Sequence, residues 1–136
     1  MLERTPHMPL DGDPLVPSGS YRADSPLRCI LDRIGDKWTV LIVGLLVRGP
    51  MRFNALNKAI EGLSAKVLSR VLKELERDGL VTRSVFPTVP VTVEYDLTSL
   101  GRTLTRTLDG LSHWAVENID AVHASQLQYD GNKTGK

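Results

Sequence analysis

Residues 64–79, SAKVLSRVLKELERDG, constrain the fold more than any other stretch of the chain. Leu68, Val71, Leu72 and Leu75 recur at i, i+3, i+4 and i+7, which defines one buried stripe of a helix. Ser64 suits the N-cap, where its hydroxyl accepts a bond from an orphan amide of the first turn. Gly79 suits a left-handed residue that ends the helix. Lys66, Ser69, Arg70 and Lys73 fall on the opposite side.

The segments around this helix are short and well punctuated. Pro26 to Ile34 reads as a first helix, with Ser25 as its cap, Pro26 at its first position and a stripe of Leu27, Ile30, Leu31 and Ile34. Gly35-Asp36 breaks it. Lys37 to Arg48 reads as a second helix, apolar nearly all round, as expected of a helix buried at the centre of a small domain. Gly49-Pro50 stops it. Arg52 to Ile60 reads as a short third helix with Phe53, Leu56 and Ile60 inward, and Glu61-Gly62-Leu63 as a tight turn.

After Gly79 the period changes from 3.6 to 2. Leu80 to Phe86 and Val91 to Leu97 are rich in Val, Thr and aromatic residues and read as two strands. Pro87-Thr88-Val89-Pro90 forms a stiff tip between them. Thr98, an N-cap candidate, opens a last helix to about Val122. There Leu104, Leu108, Leu111, Ala115, Asn118 and Val122 approach a coiled-coil seam, interrupted by Gly110.

Two short helices joined by a glycine-containing turn form the helix-turn-helix pattern, with the second helix as reader of the DNA major groove. The whole order predicts a mainly α (α+β) fold. It is a winged helix-turn-helix with a two-stranded β-hairpin wing and N- and C-terminal dimerisation helices. Residues 1–24 hold four of the eight prolines, show no period and are expected to be a disordered arm. Residues 25–125 are expected to be the DNA-binding and dimerisation domain, and residues 126–136 a flexible tail.

Composition narrows the function classes. The net charge of +1 excludes a broad polycation and leaves room for a local basic patch. Cys29 is the only cysteine, so no intrachain disulfide forms, and no Cys/His cluster has zinc-ligand spacing. No phosphate-cradling glycine loop, nucleophile elbow or cofactor fingerprint is present, so neither an enzyme nor a cofactor is expected. The apolar run Trp38–Val47 is too short to span a bilayer. No signal peptide is expected, and a reducing cytoplasm fits the cysteine usage.

The chain from Pro26 to about Ala115 resembles the HxlR family of bacterial winged-helix transcriptional regulators, relatives of the MarR type. The resemblance rests on motifs in series. They are Gly35 with Lys37-Trp38-Thr39; Gly49-Pro50 with Arg52-Phe53; Leu72 to Gly79; Pro87, Val89-Pro90 and Glu94-Tyr95; and Leu97-Thr98 with Leu100-Gly101. It implies a homodimer, often a repressor, on a pseudo-palindromic operator, and a redox or electrophile signal. Many members carry a cysteine just before the proline that opens the first helix. Here Ser25 stands there, and Cys29 lies one turn further in.

Candidate DNA contacts follow from residue chemistry. Arg70 suits guanine O6 and N7, and Lys66 and Ser69 stand beside it for base edges. Ser64 at the helix N-terminus and Lys73 as a point charge suit phosphates, and Ala65 next to Ser64 is a further candidate DNA contact. Arg52 and Asn54 would anchor a phosphate at the start of the preceding helix, with Asn57 and Lys58 on its polar side. The wing offers Arg83, Ser84, Thr88 and Thr92, although its tip carries no Lys or Arg.

Cys29 has two readings. One is a redox sensor, activated by Arg28, Arg33 and the helix N-terminus. The other is a small, half-buried residue near the dimer interface. Trp38, Phe53, Tyr95 and Trp114 are expected in the core. A small-molecule effector pocket between the first, second and C-terminal helices is left open. A winged helix used only for protein–protein contact is the competing reading, favoured by the uncharged wing tip.

Overall fold

A computed structural model describes residues 22–134. Most of the expected arm, residues 1–21, lies outside the described residues. The elements in order are α1 (Pro26–Ile34), α2 (Lys37–Leu46), β1 (Met51–Arg52), α3 (Phe53–Ala59), α4 (Ala65–Arg77), β2 (Val81–Phe86), β3 (Thr92–Leu97) and α5 (Ser99–Thr134). The chain divides into two compact units between Lys37 and Trp38.

The first unit contains α1. Ser25 Oγ accepts from the Arg28 amide at 3.1 Å, so the expected cap is present. Among the described residues the apolar stripe of α1 is covered only in part: Leu27 and Ile34 are half-buried, Ile30 and Leu31 are half exposed, and none of the helix's residues is fully buried.

The second unit is built on α4. Leu68, Val71, Leu72 and Leu75 are all buried, with Leu68, Val71 and Leu75 at 0% exposure. At about 1.5–3 kcal/mol for each fully buried aliphatic side chain, this stripe is a principal source of stability. It packs in one core with Ile42, Val43 and Leu46 of α2, Leu56 of α3, Val81 of β2, and Tyr95 and Leu97 of β3. Gly79 has φ +79° and ends α4 as expected. The Leu80 amide donates to the Leu75 carbonyl and the Gly79 amide to the Glu76 carbonyl, each at 3.0 Å, which is the Schellman arrangement.

The hairpin of β2 and β3 is antiparallel, with Val81 opposite Leu97 and Phe86 opposite Thr92. A further strand joins it. β1 pairs with β3 through Met51 opposite Tyr95 and Arg52 opposite Glu94, giving a three-stranded sheet in the order β1-β3-β2. Arg52 is therefore the end of a strand, and α3 begins only at Phe53.

Four further expectations change. α2 is buried on one side only: Ile42 and Leu46 are at 0%, whereas Leu41 is 47% exposed. Its other side faces a groove of about 670 Å³ lined by Leu41, Gly44, Val47, Ile60, Leu108 and Ser112. Trp114 is not in the core; it lies 57% exposed on α5, beyond the last core contact of that helix at Leu108. Cys29 is exposed rather than half-buried. Finally, α5 does not end near Val122, and residues 126–134, expected as a loose tail, are helical. After Pro90 the chain contains no further proline, and Gly110 and Gly131 lie within α5 without ending it.

Candidate nucleic-acid interface

The helix-turn-helix consists of α3, the turn Ile60–Leu63 and α4. Gly62 takes φ +84° in the turn, a conformation that residues with a Cβ rarely adopt. Leu63 is buried, and Asn57 Nδ2 donates to its carbonyl at 2.9 Å. The Asn57 side chain thus fixes the turn that aims α4, which corrects its expected place on the phosphate-facing side. The Leu63 carbonyl, six residues on, is a partner that helical period does not reveal.

α4 starts with Ser64, whose Oγ accepts from the Val67 amide at 3.1 Å. The first intrahelical bond runs from the Leu68 amide to the Ser64 carbonyl at 2.9 Å. The amides of Ala65 and Lys66 precede it and belong to the positive end of the helix. Ser64, Ala65, Lys66, Arg70 and Lys73 are exposed and Ser69 is half-buried, so the expected polar face is on the surface as one group.

Arg70 carries a contact that the residue types alone did not assign. Its Nη1 donates to Glu74 Oε1 at 2.7 Å, an i,i+4 ion pair with both side chains partly exposed. Such pairs contribute only about 0.3–0.5 kcal/mol to a helix. The spacing of the two residues was the available signal.

A second group forms between α3 and the wing. Arg52, Asn54 and Lys58 line a groove of about 660 Å³ together with Pro90, Val91 and Thr92. Arg52, Asn54 and Thr92, expected as contacts from different elements, therefore share one groove between α3 and the wing. The wing tip is internally bonded: Thr88 Oγ1 donates to the Pro90 carbonyl at 2.7 Å and lies 2.8 Å from Thr92 Oγ1. Arg83 and Ser84 are exposed on β2, opposite Tyr95 and Glu94, outside that groove. The tip itself is apolar, with Val89 fully exposed and Val91 64% exposed.

Among the described residues, no group of three or more His, Cys, Asp or Glu side chains could hold a metal ion. No described helix is long and apolar enough to cross a membrane.

A helix-turn-helix with an exposed basic second helix, followed by a β-wing and a long helix, defines a winged-helix transcriptional regulator. The family model for HxlR-like helix-turn-helix proteins matches residues 33–123, and the chain belongs to that family. It is 44% identical over 90 residues to the uncharacterized HTH-type transcriptional regulator YvaP of Bacillus subtilis, covering 66% of this chain and 83% of that protein. The solved chain described as transcriptional regulator ytfH from Salmonella typhimurium superposes with a TM-score of 0.72 at 35% identity, covering 78% of this chain and 95% of that one. The redox regulator HypR in its reduced form gives a TM-score of 0.69 at 36% identity, covering 74% and 99%. YvaP and ytfH are described as transcriptional regulators and HypR as a redox regulator.

Proposed function

We propose that the chain is a homodimeric, sequence-specific DNA-binding repressor that acts in the cytoplasm on a pseudo-palindromic operator. Residues 25–125 serve as its DNA-binding and dimerisation unit. The observation that carries the reading is the division of α4. Its apolar stripe is buried, while Lys66, Arg70 and Lys73 stand exposed on the other side of the second helix of a helix-turn-helix. In the proposed complex this face enters the major groove. Arg70, Lys66 and Ser69 meet base edges, and Ser64, Ala65 and Lys73 meet phosphates. Arg52, Asn54, Thr88, Thr92 and Arg83 flank the duplex from α3 and the wing. Two such faces related by a twofold axis read half-sites about 34 Å apart.

The test is selection of duplexes from a random pool by the full chain, followed by a salt titration. An inverted-repeat consensus and a steep loss of affinity with salt are expected. Failure to bind any duplex at low salt sinks the reading. It would favour the competing one, a winged helix that binds another protein, for which the exposed apolar Val89 and Val91 speak.

Redox control through Cys29 is part of the proposal. It is supported by the exposure of Cys29 on α1 and by likeness to a redox regulator. A peroxide would oxidise the Cys29 thiolate to a sulfenic acid, itself being reduced, and a second thiol, from another copy of the chain or a small thiol, would then displace water to give an intersubunit or mixed disulfide. A small-molecule effector would take the groove between α2 and α5.

A further inference from the structure

The pairing of Arg70 with Glu74 points to a role for an acidic residue on a surface otherwise suited to DNA. Arg70 Nη1 and Glu74 Oε1 are 2.7 Å apart, with side-chain exposures of 50% and 35%. The pair is poorly arranged to serve the helix itself. A base followed by an acid at i+4 is the weaker order. Glu74 also lies in the last turn of α4, where the helix dipole disfavours negative charge. The contact therefore bears on Arg70 more than on the stability of α4.

Two consequences follow from the geometry. A long, flexible side chain has one of its nitrogens held, which restricts the directions its guanidinium explores. The charge that Arg70 would offer to any phosphate is offset by a carboxylate in contact with it. Non-specific affinity depends on phosphate neutralisation, whereas base reading depends on aligned donors. An Arg–Glu pair thus weakens the first and favours the second. Five N–H groups on a guanidinium allow one to bind a carboxylate while the group still presents an edge to a base.

We propose that Glu74 is a positioning and specificity-determining residue for DNA reading: it orients Arg70 toward a base edge and lowers the affinity of the reader face for arbitrary duplexes. The inference rests on the DNA-binding reading above.

The experiment uses the full chain as wild type, Glu74→Gln, Glu74→Asp, Arg70→Ala and the Arg70→Ala/Glu74→Gln double variant. Each is titrated with the duplex that the wild type enriches from a random pool and with a scrambled duplex, at several salt concentrations. Circular dichroism is expected to give the same helix content for all. Glu74→Gln should bind the scrambled duplex about threefold more tightly, with a salt slope steeper by about one phosphate contact. Its ratio of specific to scrambled affinity should fall by about tenfold. Glu74→Asp keeps the charge but shortens the reach, so the ratio should fall while the salt slope stays. In the Arg70→Ala background, Glu74→Gln should leave the ratio unchanged, because the two residues act as one unit.

An unchanged ratio in Glu74→Gln overturns the proposal, as does an equal loss with and without Arg70. A full ratio in Glu74→Asp overturns positioning and reduces the effect to charge. If the wild type enriches no duplex at all, the DNA-binding reading fails, and this assignment falls with it.

Discussion

Thr98 Oγ1 donates to the Gly79 carbonyl at 2.6 Å, joining the end of α4 to the start of α5. The same oxygen accepts from the Gly101 amide at 2.9 Å, so one hydroxyl caps α5 and ties it to the C-terminal turn of the helix proposed to read DNA. The connection is reinforced by the Thr98 amide, which donates to the Leu80 carbonyl at 3.0 Å. A rigid link of this kind couples the orientation of α4 to the long helix.

Replacing Thr98 with Ala removes both side-chain bonds and should cost about 1–2 kcal/mol, the upper range for loss of a cap. Thr98→Ser keeps the hydroxyl and should recover most of that loss. Chemical denaturation of the three proteins checks this. Equal midpoints for Ala and Ser would show that the hydroxyl contributes nothing.

Gly101 and Gly110 lie on the same helix and should respond in opposite directions. A Cβ on Gly101 would overlap the Leu80 carbonyl oxygen, because α5 passes directly against that backbone. Gly101→Ala should therefore destabilise by about 1–3 kcal/mol, as overpacking does. A Cβ on Gly110 meets nothing within 4 Å, so Gly110→Ala should stabilise by about 0.5–1 kcal/mol through helix propensity. Thermal melts of both variants decide. A shift of the same sign in each would contradict the packing.

What the sequence reveals depends on how local the cause is. The ends of α4 were legible because Ser64 and Gly79 act on amides and carbonyls within one turn. The β2–β3 hairpin was legible from its period and its prolines. β1 was not. It has two residues, too few to show alternation, and it exists because Tyr95 and Glu94 lie opposite Met51 and Arg52, far along the chain. Trp114 and Leu41 show a different limit. An apolar stripe signals that something should cover it, but not whether the cover comes from the same chain. Both are about half exposed here.

The candidate interface divides in the same way. The exposed face of α4 followed directly from the period of 3.6. The gathering of Arg52, Asn54 and Thr92 into one groove needed the sheet to bring the wing beside α3. The hydroxyls of Thr88 and Thr92, read as ligand groups, turn out to bond each other at the tip. Side-chain partners at several residues' distance, such as Asn57 with the Leu63 carbonyl, carry no periodic signature.

Arg70 and Lys73 offer a direct comparison of two cations on one face. Arg70→Ala should weaken the selected duplex by about 1–3 kcal/mol more than a scrambled one, as loss of a base contact does. Lys73→Ala should weaken both alike and lower the salt slope by about one. Fluorescence anisotropy with both duplexes separates the two patterns. Equal losses for Arg70→Ala would make it a phosphate contact.

Cys29 should govern any response to oxidant, because it is the only thiol of the chain and is exposed on α1. Wild type treated with diamide should lose operator affinity and regain it with dithiothreitol, and Cys29→Ser should bind equally before and after treatment. A Cys29→Ser variant that still responds to diamide removes thiol switching from the proposal.

The long helix α5 allows the dimer to be tested without disturbing the core. Leu108 is buried at 6% exposure, whereas Leu111 at 55% and Trp114 at 57% follow within two turns on the solvent side. Apolar side chains at this helical spacing suit a second helix laid against them, as in a coiled-coil seam. Trp114→Glu removes no core contact, so its effect on the fold within one chain should stay within about 0.5 kcal/mol. Placed between two apolar helices, however, the same carboxylate would lose its water without gaining a partner. Light scattering should therefore give the mass of two chains for the wild type and of one for Trp114→Glu, with unchanged circular dichroism. Operator affinity should fall in parallel, since each monomer would then engage a single half-site. A Trp114→Glu protein that keeps the two-chain mass would move the interface away from this part of α5, and a one-chain mass for the wild type would remove the dimer altogether.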